Sequence, residues 1–160
     1  MDAKMAMAKR LRSFTRYRRL QPAIGRMQAA VVRRSGGRYR RSRLLAGGQP
    51  VMVLTTTGRR SGEPRTTMVA YLRHGDAYAS AALNLGSPRN PAWALNLRAH
   101  PEARIQVNGH DMRVRAREAG GEEAELLWAA LIERMPASGL SKQLASADRD
   151  VPLFVFEPRR

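Results

Sequence analysis

Three arginines stand in a short segment that separates two strand-like apolar runs. Arg59, Arg60 and Arg65 share this segment with Gly58 and Gly62. Glycine lets backbone N–H groups approach a ligand closely, and guanidinium groups form charge-assisted hydrogen bonds with phosphate or carboxylate. Because like charges repel, a turn this cationic does not stabilise a sheet by itself. The segment is predicted to bind an anion, and the alternative is an exposed charge cluster that holds no ligand.

A second informative segment begins with a Gly- and Pro-rich loop and continues into a short helix, over residues 86–97. Pro91 suits the first helical position, with Asn90 as the N-cap. Trp93 and Asn96 are three residues apart and therefore share one side of the helix. Asn96 is expected to hydrogen-bond the ligand. Trp93 is expected either to form a wall of the ligand groove or to pack in the core.

Together the two segments resemble the deazaflavin-dependent nitroreductase and quinone reductase family of actinobacteria. The family motif T-T-x-G-R-K/R-[ST]-G-x-P-R corresponds to Thr55–Arg65, and G-x-x-x-x-P-x-W-x-x-N-L corresponds to Gly86–Leu97. The similarity extends from Gln49 to Pro158 and is looser after Asn108. It implies a mainly β (α+β) fold, a split β-barrel of the flavin-reductase-like type with flanking helices, and coenzyme F420 as the cofactor.

The resemblance also implies which residues contact the cofactor. Three arginines and a serine would face its phosphate and acidic polyglutamate tail: Arg59, Arg60, Ser61 and Arg65. The next strand would line the deazaflavin ring, partly through backbone groups, with Thr66, Thr67, Met68, Val69 and Ala70. The remaining contacts would come from Ala81, Ala82, Leu83, Asn84, Ala92, Trp93, Ala94, Leu95 and Asn96. Since the cofactor carries the hydride chemistry, no catalytic side chain and no metal ligand is expected.

This chain departs from the family pattern where substrates and phosphate are contacted. Leu83 and Asn84 stand where many members carry Ser-Lys, and Arg89 is the expected substitute for the missing lysine. Residues 137–144 contain no aromatic side chain, whereas members that reduce bulky nitroimidazoles or quinones have several tyrosines there. The resemblance therefore implies the cofactor and leaves the acceptor open.

Composition and length predict one domain preceded by an arm. The chain has 160 residues and no cysteine, which excludes disulfides, thiolate metal sites and a cysteine nucleophile. No apolar run is long enough to span a bilayer, and no secretory signal is visible. These features favour the cytoplasm. We expect a basic arm and linker over residues 1–48 and a split-barrel cofactor-binding domain over residues 49–160.

The arm carries most of the net charge of the chain. Residues 1–43 hold 14 of the 29 Lys and Arg but only one of the 13 Asp and Glu, so they contribute +13 of the net +16. Apolar residues recur at helical spacing on either side of Pro22. Three interpretations of this amphipathic pattern stay open: contact with an anionic membrane surface at the inner face of the cell membrane, packing on the barrel, and contact with nucleic acid.

Hydrophobic periodicity predicts the elements of the body. Strands are expected at 50–56, 65–72, 77–83 and 151–156, and a hairpin at 103–116 turns at Asn108-Gly109. Helices are expected at 91–99, 121–135 and 140–147. Ion pairs of Asp148 and Asp150 with Arg149 are expected ahead of the last strand.

The leading hypothesis for function is an oxidoreductase that transfers hydride from reduced coenzyme F420 to an oxidised organic acceptor of the quinone or nitroaromatic type. The first alternative is a protein that binds or sequesters the deazaflavin without turnover. The second is a basic nucleic-acid-associated protein, although no nucleic acid is expected as a partner. The oligomeric state is left open.

Overall fold

A single antiparallel sheet of seven strands forms the framework. The computed structural model describes residues 49–134 and 149–159, together with Met27, Ala30, Arg34 and Leu144. The strands are β1 (Val51–Thr57), β2 (Pro64–Ala70), β3 (Leu72–His74), β4 (Ala77–Ala81), β5 (Glu102–Val107), β6 (His110–Glu118) and β7 (Leu153–Pro158). The helices are α1 (Ala92–Ala99) and α2 (Gly121–Arg134), and a 3-10 turn spans Asn84–Gly86.

Several predicted features fall on parts of the chain that these ranges leave out. The amphipathic helices of the arm, the linker, the segment 137–144 and the helix 140–147 lie outside the described residues. The exceptions are Met27, Ala30, Arg34 and Leu144, which are helical. Among the described residues, no helix combines the length and hydrophobicity needed to cross a bilayer.

The strand order is β2-β1-β5-β6-β7-β4-β3, and neighbouring strands are antiparallel. The two edge strands, β2 and β3, follow one another in sequence with only Tyr71 between them. The sheet is rolled so that β2 approaches β4 without pairing with it. This unpaired seam makes the sheet a split barrel, and the predicted fold is confirmed.

The predicted single strand 65–72 is wrong in one respect. Residues up to Ala70 pair with β1, whereas Leu72 and the two residues after it pair with β4 at the opposite edge of the sheet. At Tyr71 the backbone N–H donates to the Pro50 carbonyl over 3.0 Å. A continuous apolar run can therefore serve both edges, because the chain crosses the seam within it.

Alternating side chains build two separate cores. Inside the barrel, Met52 and Leu54 of β1 pack with Phe154 and Phe156 of β7 and with α1. On the other side of the sheet, the alternate β7 residues and Ala79 pack against α2. Strands buried on both faces show no polar alternation, which explains the unbroken apolar runs at β1 and β7.

Two local predictions in the second half of the chain are confirmed and one is wrong. Asn108 and Gly109 have φ angles of 53° and 87°, as the tight hairpin between β5 and β6 requires. Helix α2 occupies its predicted range up to Arg134, and Leu127 and Leu131 are buried. Leu126, expected on the same face, is 61% exposed.

Candidate functional site

The segment Gly58–Arg65, called here the cationic loop, closes on itself, and its last two residues, Pro64 and Arg65, already pair with β1 as the start of β2. Gly58 N–H donates to the Glu63 carbonyl, and Gly62 N–H donates to the Gly58 carbonyl, each over 2.8 Å. Gly62 has φ of 69°, a conformation that strongly favours glycine. A Cβ at Gly58 would lie 2.7 Å from Ser61 Oγ and 3.1 Å from the Glu63 carbonyl oxygen, so a side chain there would force Ser61 to move.

The three arginines of the cationic loop are exposed and have no carboxylate partner among the described residues. Arg65 donates to Ser61 Oγ over 3.1 Å, which draws its guanidinium towards the centre of the loop. Glu63 belongs to the same loop but forms no ion pair with these arginines, and exposed guanidinium groups without a bonded carboxylate form a donor set suited to an anion. The residues present therefore fit a ligand with phosphate and carboxylate groups.

The side chain of Asn96, on α1, holds the cationic loop in place through a hydrogen bond with the loop backbone. Its side chain is 4% exposed. Its Oδ1 accepts a hydrogen bond from the Arg59 N–H over 3.1 Å, and its Nδ2 donates to Thr56 Oγ1 over 3.0 Å. Thr56 Oγ1 in turn donates to the Arg65 carbonyl over 3.4 Å. This amide, which is predicted to contact the ligand, joins the two sequence motifs to each other.

Trp93, on the same helix, faces the barrel interior. It is 9% exposed, and its ring packs edge-on against Phe154 at 5.4 Å between centroids. Ala94 is fully buried beside it, whereas Leu95 is half-buried and Ala92 is exposed. The observed contacts of Trp93 are therefore those of a core-packing residue.

The start of α1 differs from the predicted cap. Pro91 is the N-cap residue, and no side chain caps the helix. Asn90 was expected in that role, but its Oδ1 accepts a hydrogen bond from Arg149 over 2.6 Å. This competing bond to a guanidinium withdraws the Asn90 side chain from the helix.

Strand β2 offers an open edge beside the cationic loop. Thr66, Thr67, Met68 and Ala70 are half-buried, whereas Val69 is buried in the barrel core. Thr66 Oγ1 lies 3.0 Å from Thr55 Oγ1 of β1. Among the residues that the structure describes, no strand pairs with β2 on the side away from β1, so β2 is an edge strand whose outward backbone groups form no ladder there.

The other predicted contacts lie across the seam, in the last residue of β4 and in residues 82–90, called here the second wall. Ala81 ends β4, and Ala82 is fully buried. Asn84 has φ of 50°, and its Nδ2 donates to the Arg89 carbonyl over 2.8 Å. Because β2 approaches β4, the fold brings the β2 edge and the beginning of the second wall to the two sides of one seam.

Sequence reasoning missed the role of Arg149. Its guanidinium pairs with no carboxylate among the described residues, and Asp150 contributes its backbone carbonyl, so the expected ion pair with Asp150 is wrong. The other predicted partner, Asp148, lies outside the described residues. The remaining contacts of Arg149 are all with the second wall. Such hydrogen bonds cannot be predicted from a local sequence pattern, because their partners are far away in sequence.

Comparison with solved structures identifies the fold. A solved structure of an F420-H2 dependent reductase, FDR-A, has a TM-score of 0.60 and 31% identity, and the match covers 68% of this chain and 94% of that chain. The haem storage protein HutZ from Vibrio cholerae matches with a TM-score of 0.54 and 15% identity over 79% of this chain and 87% of that chain, which shows the fold alone.

The sequence comparisons agree with the structural ones. An F420H(2)-dependent quinone reductase of Mycobacterium tuberculosis is 31% identical over 136 residues, which are 84% of this chain and 89% of that protein. A model of the F420H(2)-dependent quinone reductase family matches residues 24–158. The chain therefore belongs to the F420H(2)-dependent quinone reductase family and is an oxidoreductase whose cofactor is coenzyme F420.

Proposed function

We propose that reduced coenzyme F420 lies along the seam, between the β2 edge with the cationic loop on one side and the second wall on the other. The observation that carries this proposal is the donor set of the cationic loop, whose three arginines have no carboxylate partner among the described residues. One phosphate needs fewer guanidinium groups than the loop provides. A phosphate together with an acidic tail accounts for all three.

The residues of this chain then act by binding and orienting. When bound, the cofactor supplies the hydride. Arg59, Arg60 and Arg65 hold its anionic groups by charge-assisted hydrogen bonds. Asn96 keeps the cationic loop in place through the Arg59 backbone, and the edge of β2 offers backbone donors and acceptors to the ring. Position and electrostatics are the contribution of the protein, and the proton that accompanies the hydride to the acceptor comes from solvent.

For the acceptor, we propose a quinone. The family model and the mycobacterial relative both carry the description quinone reductase. The alternative of cofactor binding without turnover is not favoured by these matches. Mixing the protein with reduced coenzyme F420 and menadione should give a change in visible absorbance as the cofactor is oxidised. Cofactor binding without that change would instead support the sequestering alternative.

The N-terminal arm bears on access to such an acceptor. We propose that residues 1–43 attach the protein to the inner face of the cell membrane, where quinones dissolve. The support is their +13 of the net +16 charge, since each basic residue near an anionic leaflet contributes roughly 1 kcal/mol. The body then remains on the cytoplasmic side, with residues 49–160 as the cofactor-binding domain.

The sharpest test of the cofactor site compares two ligands. Purified protein is titrated in parallel with coenzyme F420 and with FMN, which has one phosphate and no polyglutamate tail. We expect the deazaflavin to bind more tightly, because only its tail provides anions for the remaining arginines. Equal or tighter binding of FMN would contradict the assignment of the cationic loop to phosphate and tail.

A further inference from the structure

The guanidinium of Arg149 is bonded to five acceptors, none of which is charged. Nε donates to the Ser87 carbonyl over 3.1 Å. One terminal nitrogen donates to Asn90 Oδ1 over 2.6 Å and to the Asp150 carbonyl over 3.2 Å. The other donates to the Ala82 carbonyl over 2.8 Å and to the Leu83 carbonyl over 3.4 Å. The five acceptors match the five N–H donors of an arginine.

This saturation distinguishes Arg149 from the other bonded arginines of the body. Arg98, Arg115, Arg117 and Arg159 bond glutamates at the surface, whereas Arg65 and Arg73 each donate one hydrogen bond to a hydroxyl group. Burial, and secondarily the nearby Arg98, lowers the pKa of Arg149 from its ordinary value. An arginine remains charged in proteins even so. The fold therefore keeps a partly desolvated cation at this place without any described carboxylate to balance it.

The acceptors show what the cation does. They include the first two residues of the second wall, a residue in its middle and the residue at its end. The second wall has little regular structure of its own: one 3-10 turn, closed by Gly86 N–H to the Leu83 carbonyl over 3.0 Å. Asn84 also has a positive φ, which asparagine adopts more readily than most residues, and it is bonded within the segment by its Nδ2 to the Arg89 carbonyl and by the Ser87 N–H to its own carbonyl. Arg149 adds four hydrogen bonds to the second wall from outside it.

We propose that Arg149 is a positioning residue for the cofactor site: its fork ties the second wall together and holds it against the start of β7, opposite the cationic loop. The inference rests on the proposed cofactor site, because Ala82, Leu83 and Asn84 belong to that site. In this proposal, a different residue holds each side of the seam in place. Asn96 holds the cationic loop, and Arg149 holds the second wall.

The test separates positioning from charge. Arg149→Lys keeps the charge but can make at most three of the five hydrogen bonds, and Arg149→Met removes both. Arg115→Lys and Arg115→Met are the matched controls, since Arg115 forms an exposed pair with Glu102 on a distant part of the sheet. The measurements are the Kd for oxidised coenzyme F420 by fluorescence titration and the hydrogen exchange of amides 84–90 in the cofactor-free protein.

We expect both Arg149 variants to raise the Kd by roughly tenfold or more, and to speed exchange at the Gly86 and Ser87 amides. The Arg115 variants should change neither. Should the Arg149 variants fail to fold, Asn90→Ala, which removes a single acceptor, should show the same two effects in weaker form. Wild-type Kd and exchange in Arg149→Lys, or in Asn90→Ala if that variant has to be used, would overturn the proposal. Failure of the wild-type protein to bind the cofactor at all would instead overturn the proposed function.

Discussion

At the residue scale, the cationic loop separates the groups that bind a ligand from the groups that shape the backbone. The three arginines are exposed and form no ion pair with a described carboxylate, whereas Gly58 and Gly62 close the loop and Asn96 fixes it from a buried position. Binding and positioning can therefore be removed one at a time, and the two kinds of variant should differ in their effect on stability.

Replacing Arg60 or Arg65 by alanine should weaken binding of coenzyme F420 and leave the fold intact. Each side chain is exposed, so its loss leaves no cavity, while a lost charge-assisted hydrogen bond is worth about 1.5–3 kcal/mol. The measurements are Kd by fluorescence titration and thermal unfolding. Arg104→Ala on β5 is the control, because Arg104 is also exposed but lies outside the cationic loop. Unchanged affinity in both loop variants with normal unfolding would refute the anion site.

Replacing Asn96 by alanine should lower both stability and cofactor affinity. The variant leaves the buried Thr56 hydroxyl without this donor and the Arg59 N–H without this acceptor, at a cost of about 1–3 kcal/mol for an unsatisfied buried group. Urea unfolding measures the first effect, and titration of the folded variant with coenzyme F420 measures the second. Wild-type affinity in a destabilised variant would show that the loop holds its shape without Asn96.

At the element scale, the first turn of α2 is tied to three strands through Glu123. Arg117 of β6 contacts both carboxylate oxygens of Glu123 and also donates to Glu157 of β7 over 2.8 Å. His74 of β3 lies 3.1 Å from the same carboxylate. These bonds, together with Leu127 and Leu131 below them, dock the helix on the sheet.

Acid should weaken this docking. Hydrogen bonding from Arg117, and then from His74, lowers the pKa of Glu123 from 4.5 to about 2. Since the pKa is lower in the folded state, the carboxylate stabilises the protein fully above its unfolded pKa and loses that contribution as pH falls towards 2.

We therefore expect Glu123→Gln to destabilise the protein at pH 7, and the difference from wild type to shrink as pH falls from about 5 towards about 2. Denaturant unfolding at several pH values measures this difference. Glu125→Gln, an exposed position on the same helix, serves as the control. A difference between wild type and Glu123→Gln that stays constant with pH would contradict the role of the Glu123 charge.

At the scale of the whole molecule, charge is divided between the arm and the body. Residues 44–160 hold 15 Lys and Arg against 12 Asp and Glu, so the body carries only +3. Many of its charges form surface ion pairs, such as Arg98 with Glu118 and Arg115 with Glu102. Attraction of the protein to an anionic surface should therefore depend on the arm.

Removing residues 1–43 should abolish binding to anionic lipid vesicles. The assay is vesicle co-sedimentation of the full-length and truncated proteins at low and high salt. Salt should weaken binding of the full-length protein, because screening acts on exposed charges. If the full-length protein fails to sediment with anionic vesicles at low salt, the membrane proposal is wrong, and packing of the arm or contact with nucleic acid replaces it.

The sequence alone determined the features whose causes are local. The turn at Asn108-Gly109 follows from the φ angles that only a few residues accept, and α2 follows from the spacing of its apolar residues. The two motifs also lie in contiguous residues, so the family, the cofactor and the split barrel could be predicted from the residues and their resemblance.

The tertiary structure decided the features that depend on distant partners. Arg59 meets Asn96 across 37 residues of sequence, and Arg149 meets the second wall across 59 to 67 residues. Residues 65–72 contribute to both edge strands, β2 and β3, because rolling of the sheet brings its two edges close together. Such hydrogen bonds form where folding brings distant parts of the chain together, and local hydrophobic periodicity does not predict which parts will meet. For this reason the sequence indicated the residues that face a ligand, while only the fold showed which residues hold them in place.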